Sequence, residues 1–292
     1  MLSVLLAVLA AFANGLASVL QRRAARGRPG EESLNWRLIW HLLHTPVWIG
    51  GVASVIVAFL LQAVALAYGR ISVVEPVLVL DLPAALVLSA LIFHSRLRAR
   101  EWGAVAVMAA GLAGLLLSLS PSEGSATGVA GPVWAFALAA NLLLVAVGVG
   151  WAATLGRGAR KAAILGTTSG CGFGLTAALM KGMTGQSSHG IADVFTTWQL
   201  YAMIVAGAGS MFLLQSAVHA GRLLAAQPGL SMADPVVSIL WGVLVFGEKV
   251  RGGIFIVLSL AAIGAVTAGV LVLAHSPLLA GEAGRDETRE EA

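Results

Sequence analysis

Phe59-Leu60-Leu61-Gln62, followed by Gly69-Arg70, Pro76 and Pro83, recurs as Phe212-Leu213-Leu214-Gln215, followed by Gly221-Arg222, Pro228 and Pro235. Apolar stretches resemble one another by chance, so the first four residues alone carry little weight. A Gly-Arg pair and two prolines in the same register are far harder to obtain by accident, and they mark an internal duplication. Further upstream, Gly15-Leu16-Ala17-Ser18-Val19-Leu20-Gln21-Arg22 aligns with Gly174-Leu175-Thr176-Ala177-Ala178-Leu179-Met180-Lys181.

The duplicated unit lies in a chain made for lipid. Of 292 residues, 58% are apolar and 11% are charged, against about 25% charged in a soluble domain. The polar residues cluster between long apolar runs, and a water-soluble fold has no way to hide that much apolar surface. An α-helix rises about 1.5 Å per residue, so roughly 20 apolar residues cross the hydrocarbon. The runs predict nine spans, at 2–20, 47–68, 71–93, 102–119, 129–153, 162–180, 198–218, 223–246 and 253–274. Within the connection 21–46, the Leu34-to-Leu43 stretch, flanked by His44 and carrying Trp36, Trp40 and His41, reads as a short helix on the membrane surface. The polar residues from 275 onward read as a disordered tail. Ala11-Phe12-Ala13 has the look of a signal cleavage site. The basic cluster Arg22, Arg23, Arg26 and Arg28 follows the apolar run instead of preceding it, so the first helix is expected to be retained.

Nine spans sort the cations sharply. The odd-numbered loops and the C-terminus carry fourteen Lys and Arg; the even-numbered loops and the N-terminus carry four. The basic side is expected to be cytoplasmic, which places the N-terminus outside and the C-terminus inside the cell membrane. The net charge of +4 therefore calls for no nucleic acid.

Spans one to four repeat as spans six to nine. Four crossings return the chain to its starting side and the fifth carries it over, so the second copy is upside down. The expected architecture is an all-α membrane protein. A four-helix repeat at 1–120 is joined by a linking fifth helix, within 121–160, to an inverted repeat at 161–275, with a tail at 276–292. Inverted repeats of this kind are the plan of secondary transporters, with binding sites near the midplane where the copies meet.

Ionisable groups inside a membrane are expensive, about 2.5–3.5 kcal/mol for a central carboxylate on insertion scales. Three stand out. Asp81 and Asp234 fall near the middle of spans three and eight, beside Pro83 and Pro235. In register Asp234 aligns with Leu82, so the two acids are offset by one position at one depth. Glu75, next to Pro76, lies nearer the outer end of its span and is expected at a cavity mouth; its counterpart is the neutral Gln227. A proline frees a backbone carbonyl and bends its helix, so an acid beside it is a candidate proton or cation site. Gln62 and Gln215 are symmetric in the repeat, and with Asn14 they either orient a cargo or tie helices together. His219 is expected at the interface. Arg22 and Lys181 are symmetric at helix ends and are expected to snorkel. Glu248 and Lys249 are expected to solvate a turn. Cys171, the one cysteine, excludes an intrachain disulfide. Gly166, Gly170 and Gly174, four apart, permit close helix approach.

The second half reads Gln227-Pro228, Asp234-Pro235, then Phe246-Gly247-Glu248 and a Gly-containing last helix. This resembles the closing half of an EamA-type domain of the drug/metabolite transporter superfamily. With Trp48 and Gly50-Gly51 opening the second span, the nine-span layout resembles most the NIPA branch of proposed magnesium transporters. The first half has Ser95-Arg96 where the second has Gly247-Glu248. The resemblance implies a carrier of a small metabolite or a cation, with Asp81, Asp234 and Glu75 as ligands if the cargo is a divalent ion.

No phosphate-binding Gly-Lys-Ser/Thr loop, zinc motif or nucleophile elbow occurs, so no enzymatic activity and no cofactor is expected. The expected function is alternating-access transport of a small metabolite or cation, with proton coupling through midplane carboxylates as one form of it. The expected site is Asp81, Asp234, Glu75, Gln62, Gln215, Asn14 and Gln227, and the partners are the lipid bilayer, the cargo and, in one arrangement, a second copy as a homodimer. A non-transporting membrane scaffold is the competing reading, and it predicts no cavity between the halves.

Overall fold

The computed structural model describes residues 1–25, 45–94, 97–122, 124–185, 191–221 and 223–276. The surface helix expected at Leu34–Leu43 and the tail from 277 lie outside the described residues. A backbone in hydrocarbon must satisfy its own hydrogen bonds, and helices do so within one segment. Among the described residues the secondary structure is helical, apart from an isolated antiparallel bridge between Ser122 and Lys249.

In chain order the helices are α1 (Leu2–Ala25), α2 (Pro46–Tyr68), α3 (Ile71–Leu78), α4 (Asp81–Ile92), α5 (Ala99–Leu119), α6 (Gly131–Ala153), α7 (Ala159–Gly185), α8 (Ile191–Val194), α9 (Trp198–Ala220), α10 (Leu223–Leu244) and α11 (Ile254–Ala274). The third span is thus divided into α3 and α4, and α8 is a single turn. Among the described residues, eight helices are long and apolar enough to cross a membrane. Helix α10, of similar length, carries Gln227, Pro228, Asp234 and Pro235. It packs against α7 and α3. Burial differs among the eight: α7, the least apolar, is the most buried, whereas the linking helix α6 buries little beyond Trp134, Asn141 and Ala152.

The packing of one half mirrors that of the other. Helix α1 lies against α2 and against α3–α4; helix α7 lies against α9 and α10; and α5 pairs with α11 across the halves. The match extends to single residues. A Cβ added at Gly15 would stand 3.0 Å from the Asp81 carbonyl oxygen, and one added at Gly174 would stand 2.9 Å from that of Asp234. Each aligned glycine therefore lets its helix touch the acid-bearing turn of the next-but-one span.

Loop contacts fix the sidedness of the chain. Met1 and Ser3 line one cleft with Gly69, Arg70, Ser125, Lys181 and Gly185, and Ser122 bridges Lys249, so the N-terminus and the even loops share a face. On the other face the Gly158 N–H donates to the Ala220 carbonyl at 2.8 Å, and the Ser276 hydroxyl bonds Glu101. Helix α1 starts at the even-loop face, where α7 ends, and the two halves run in opposite senses.

Candidate functional site

Proline writes the local structure of the third span. Pro76 and Pro83 have no N–H to offer one turn back. The chain passes from α3 to α4 through tightened contacts, Val79 N–H to the Pro76 carbonyl at 3.3 Å and Leu80 N–H to the Val77 carbonyl at 3.1 Å. Asp81 opens α4 and sits in its first turn. A carboxylate is favoured there, because unpaired N–H groups make a helix N-terminus electropositive. The eighth span carries prolines in the same register yet stays one helix.

Between α1, α2, the third span, α7 and α10 lies a cavity of about 380 Å3. Asp81, Asp234, Glu75, Gln62, Asn14 and Gln227 all line it. Asn14 donates its amide to Asp81 Oδ2 at 2.9 Å, and Gln62 donates to Glu75 Oε1 at 2.9 Å. Asp234 accepts a longer bond, 3.4 Å, from the Ser238 hydroxyl, and Gln227 reaches the Ser231 hydroxyl at 3.3 Å. Phe59, Phe173 and Met180 add apolar wall. Among the described residues lining the cavity there is no Lys, Arg or His.

Three expectations need correction. Glu75 is not at a mouth. It is 3% exposed, because α3 is pressed between α1 and α10 and brings its side chain inward onto Gln62. Gln215 does not join the site. It is exposed on α9, where its carbonyl contacts His219 Nδ1, because α9 turns this side of itself away from α7. The symmetric position Gln62 points inward, so the repeat equates the sequence positions but not their surroundings. The three acids line one cavity without forming a metal cage: among the described residues no group of three His, Cys, Asp or Glu is placed to hold a metal ion.

Two residues read as surface groups are buried. Lys181 does not snorkel. At 8% exposure, its ammonium donates to the carbonyls of Leu66, 2.9 Å, and Gly69, 2.5 Å, at the end of α2. Glu248 does not solvate a turn. At 2% exposure, it accepts from the N–H groups of Ile71, 2.9 Å, and Ser72, 3.1 Å, and from the Ser72 hydroxyl. These groups open α3, which leaves Glu248 as its cap, contributed by the other half of the molecule. The sequence signal was the Gly-Glu pair itself. Gly247 at φ +66° turns the chain back at the end of α10, the Glu248 N–H reaches the Gly242 carbonyl at 2.9 Å, and the side chain is thrown inward. A Cβ at Gly242 would stand 2.5 Å from Glu248 Oε2, so that glycine makes the room.

An uncharacterized protein of Corynebacterium glutamicum is 33% identical over 258 residues, covering 85% of this chain and 87% of its own length. This chain belongs to the family of that protein. No family model matches the chain, and no solved structure matches it.

Proposed function

We propose that the protein is a secondary carrier of small cationic solutes or protons, working by alternating access between its inverted halves. One observation carries the reading: three carboxyl groups share a cavity whose described walls supply no basic side chain. Like charges in a medium of low dielectric repel strongly. Protons or a positively charged cargo must therefore offset them, and exchange between the two is the simplest coupling. Hydrogen bonds from Asn14 and Gln62 orient two of the acids without neutralising them. The cavity volume suits a small solute, and the aromatic rings of Phe59 and Phe173 add surface that attracts cations. The scattered placement of the acids fits a proton or an organic cation better than a bare divalent ion held by several carboxylates. The resemblance to drug/metabolite transporters is in keeping with this reading. On it the odd-loop face, rich in Lys and Arg, is cytoplasmic.

The test is flux through purified protein in proteoliposomes, using a panel of organic amines and a proton gradient, with magnesium as a separate arm. Gradient-driven movement of an amine is expected, lost in Asp81→Asn and Asp234→Asn while both variants keep the parent's elution profile and melting temperature. Normal transport by both variants, or magnesium flux alone, overturns the reading.

A further inference from the structure

Lys181 and Glu248 belong to the second half, and both hold the one short turn, Gly69-Arg70, that joins spans two and three of the first. Lys181 takes the carbonyls at the end of α2, and Glu248 takes the N–H groups at the start of α3. A cation on the negative end of one helix and an anion on the positive end of the next are the two favourable placements. The two side chains also attract one another. The seal is tight: Leu66, Ile71, Ser72, Val74 and Val77 are all fully buried around it.

The opposite face is built differently. The halves meet at the cavity through α3, which packs on α10 and α7, and through α2 on α7. Helix α4, which continues the third span to the odd-loop face, packs mainly on α1 and only lightly on α11. The pairing of α5 with α11 is outside the cavity walls and serves both halves as a fixed rib. Among the described residues, the third span thus meets the other half mainly through α3, its even-loop portion. In sequence the repeat does not supply the acid of the clasp a second time. Arg96 occupies the sequence position that corresponds to Glu248, and an arginine cannot cap the N-terminus of span eight.

Resting on the carrier reading, we infer that Lys181 and Glu248 form a gate: they clasp the Gly69-Arg70 turn, hold the cavity shut at the even-loop face, and must release it for the cavity to open there. Because the clasp occurs once among the described residues, and Arg96 stands where a second Glu248 would, the two halves of the transport cycle are unequal. The state closed at the even-loop face is the resting one, and cargo or protons must supply the free energy that breaks the clasp.

The test reads access, not transport. In a Cys171→Ala background, a cysteine at Ala58 on the cavity wall is labelled with a membrane-impermeant maleimide in right-side-out and inverted vesicles. Cysteines at Thr127 and Gly156 report the even-loop and odd-loop faces. With the clasp intact, labelling is expected from the odd-loop face alone. Glu248→Gln and Lys181→Met are expected to raise labelling from the even-loop face by about tenfold, the scale of a modest population shift, while Lys181→Arg restores the parent pattern. Should the stronger variants fail to fold, Ser72→Ala, which removes one donor to Glu248, is expected to shift access in the same direction by less. Folded clasp variants that label like the parent overturn the gate. Altered sidedness in a protein that moves no solute would keep the clasp and remove the carrier reading; unaltered sidedness with normal flux would do the reverse.

Discussion

Spans three and eight are repeat mates with prolines in the same register, yet one is broken and the other is whole. Pro76 and Pro83 accompany a division into α3 and α4, whereas Pro228 and Pro235 lie within the unbroken α10. The difference lies in what stands behind each. Along α7, Gly166, Gly170 and Gly174 form three notches in which α10 beds its backbone: added Cβ atoms would come within 2.3 Å of the Ala226 carbonyl, 2.6 Å of the Leu230 carbonyl and 2.9 Å of the Asp234 carbonyl. Helix α1 offers the third span the single notch at Gly15, while Glu248 pins the start of α3 from the other half. A proline-weakened helix stays straight where a neighbour supports it along its length, and parts where it is held only at intervals. The broken mate places Asp81 at a fresh helix N-terminus, and the continuous mate places Asp234 within a helix. The two acids of the symmetric pair are therefore chemically distinct.

The strongest way to break this comparison is to fill a notch. Gly170→Leu is expected to cost more than the ~1–3 kcal/mol of ordinary overpacking, because the obstacle is backbone, and to leave little folded protein on size-exclusion chromatography. Gly209→Leu, where nothing stands within 4 Å, serves as the neutral control. Next in size, Asp81→Asn is expected to abolish gradient-driven flux outright. Asp234→Asn should spare binding of a cationic amine more than Asp81→Asn does, since Asp81 is aimed by Asn14 and a helix N-terminus; isothermal titration of both variants checks the order. A smaller effect is expected from Gln62→Ala, which strips Glu75 of its amide partner and should weaken cargo affinity by about the ~1.5–3 kcal/mol of a hydrogen bond to a charged group. Gln215→Ala, at the symmetric sequence position, should leave affinity unchanged. The gentlest probe is hydrogen exchange. Amides of residues 79–82 are expected to exchange faster than those of residues 231–234, and Pro83→Ala should narrow the gap by restoring one helical donor.

Much of this was legible before any coordinates. Apolar runs of spanning length, cation asymmetry between loops and the twice-written Gly-Arg and Pro-Pro register give an inverted helical membrane protein, because lipid allows a backbone few solutions. Asp81, Asp234, Glu75, Gln62, Asn14 and Gln227 could be nominated because a polar group in a hydrophobic run needs a reason. Gln215 was nominated on the same ground, and its outward placement on α9 could not be read from a helix apolar on all sides. The burial of Lys181 and Glu248 is hidden from the sequence for a related reason. Both sit at span ends, where sequence alone equates a charged residue with a solvated one.

The sequence by itself determined which runs form helices long and apolar enough to cross a bilayer and which polar groups fall within them, since leaving a backbone or a charge in hydrocarbon is costly, and the repeated register set its halves as inverted copies. The tertiary structure alone decided which of those groups share a cavity, which proline-weakened span parts, and which charged ends turn inward to bind the opposite half. Those outcomes depend on how neighbouring helices rotate and approach one another, and one-dimensional hydropathy carries no information about rotation.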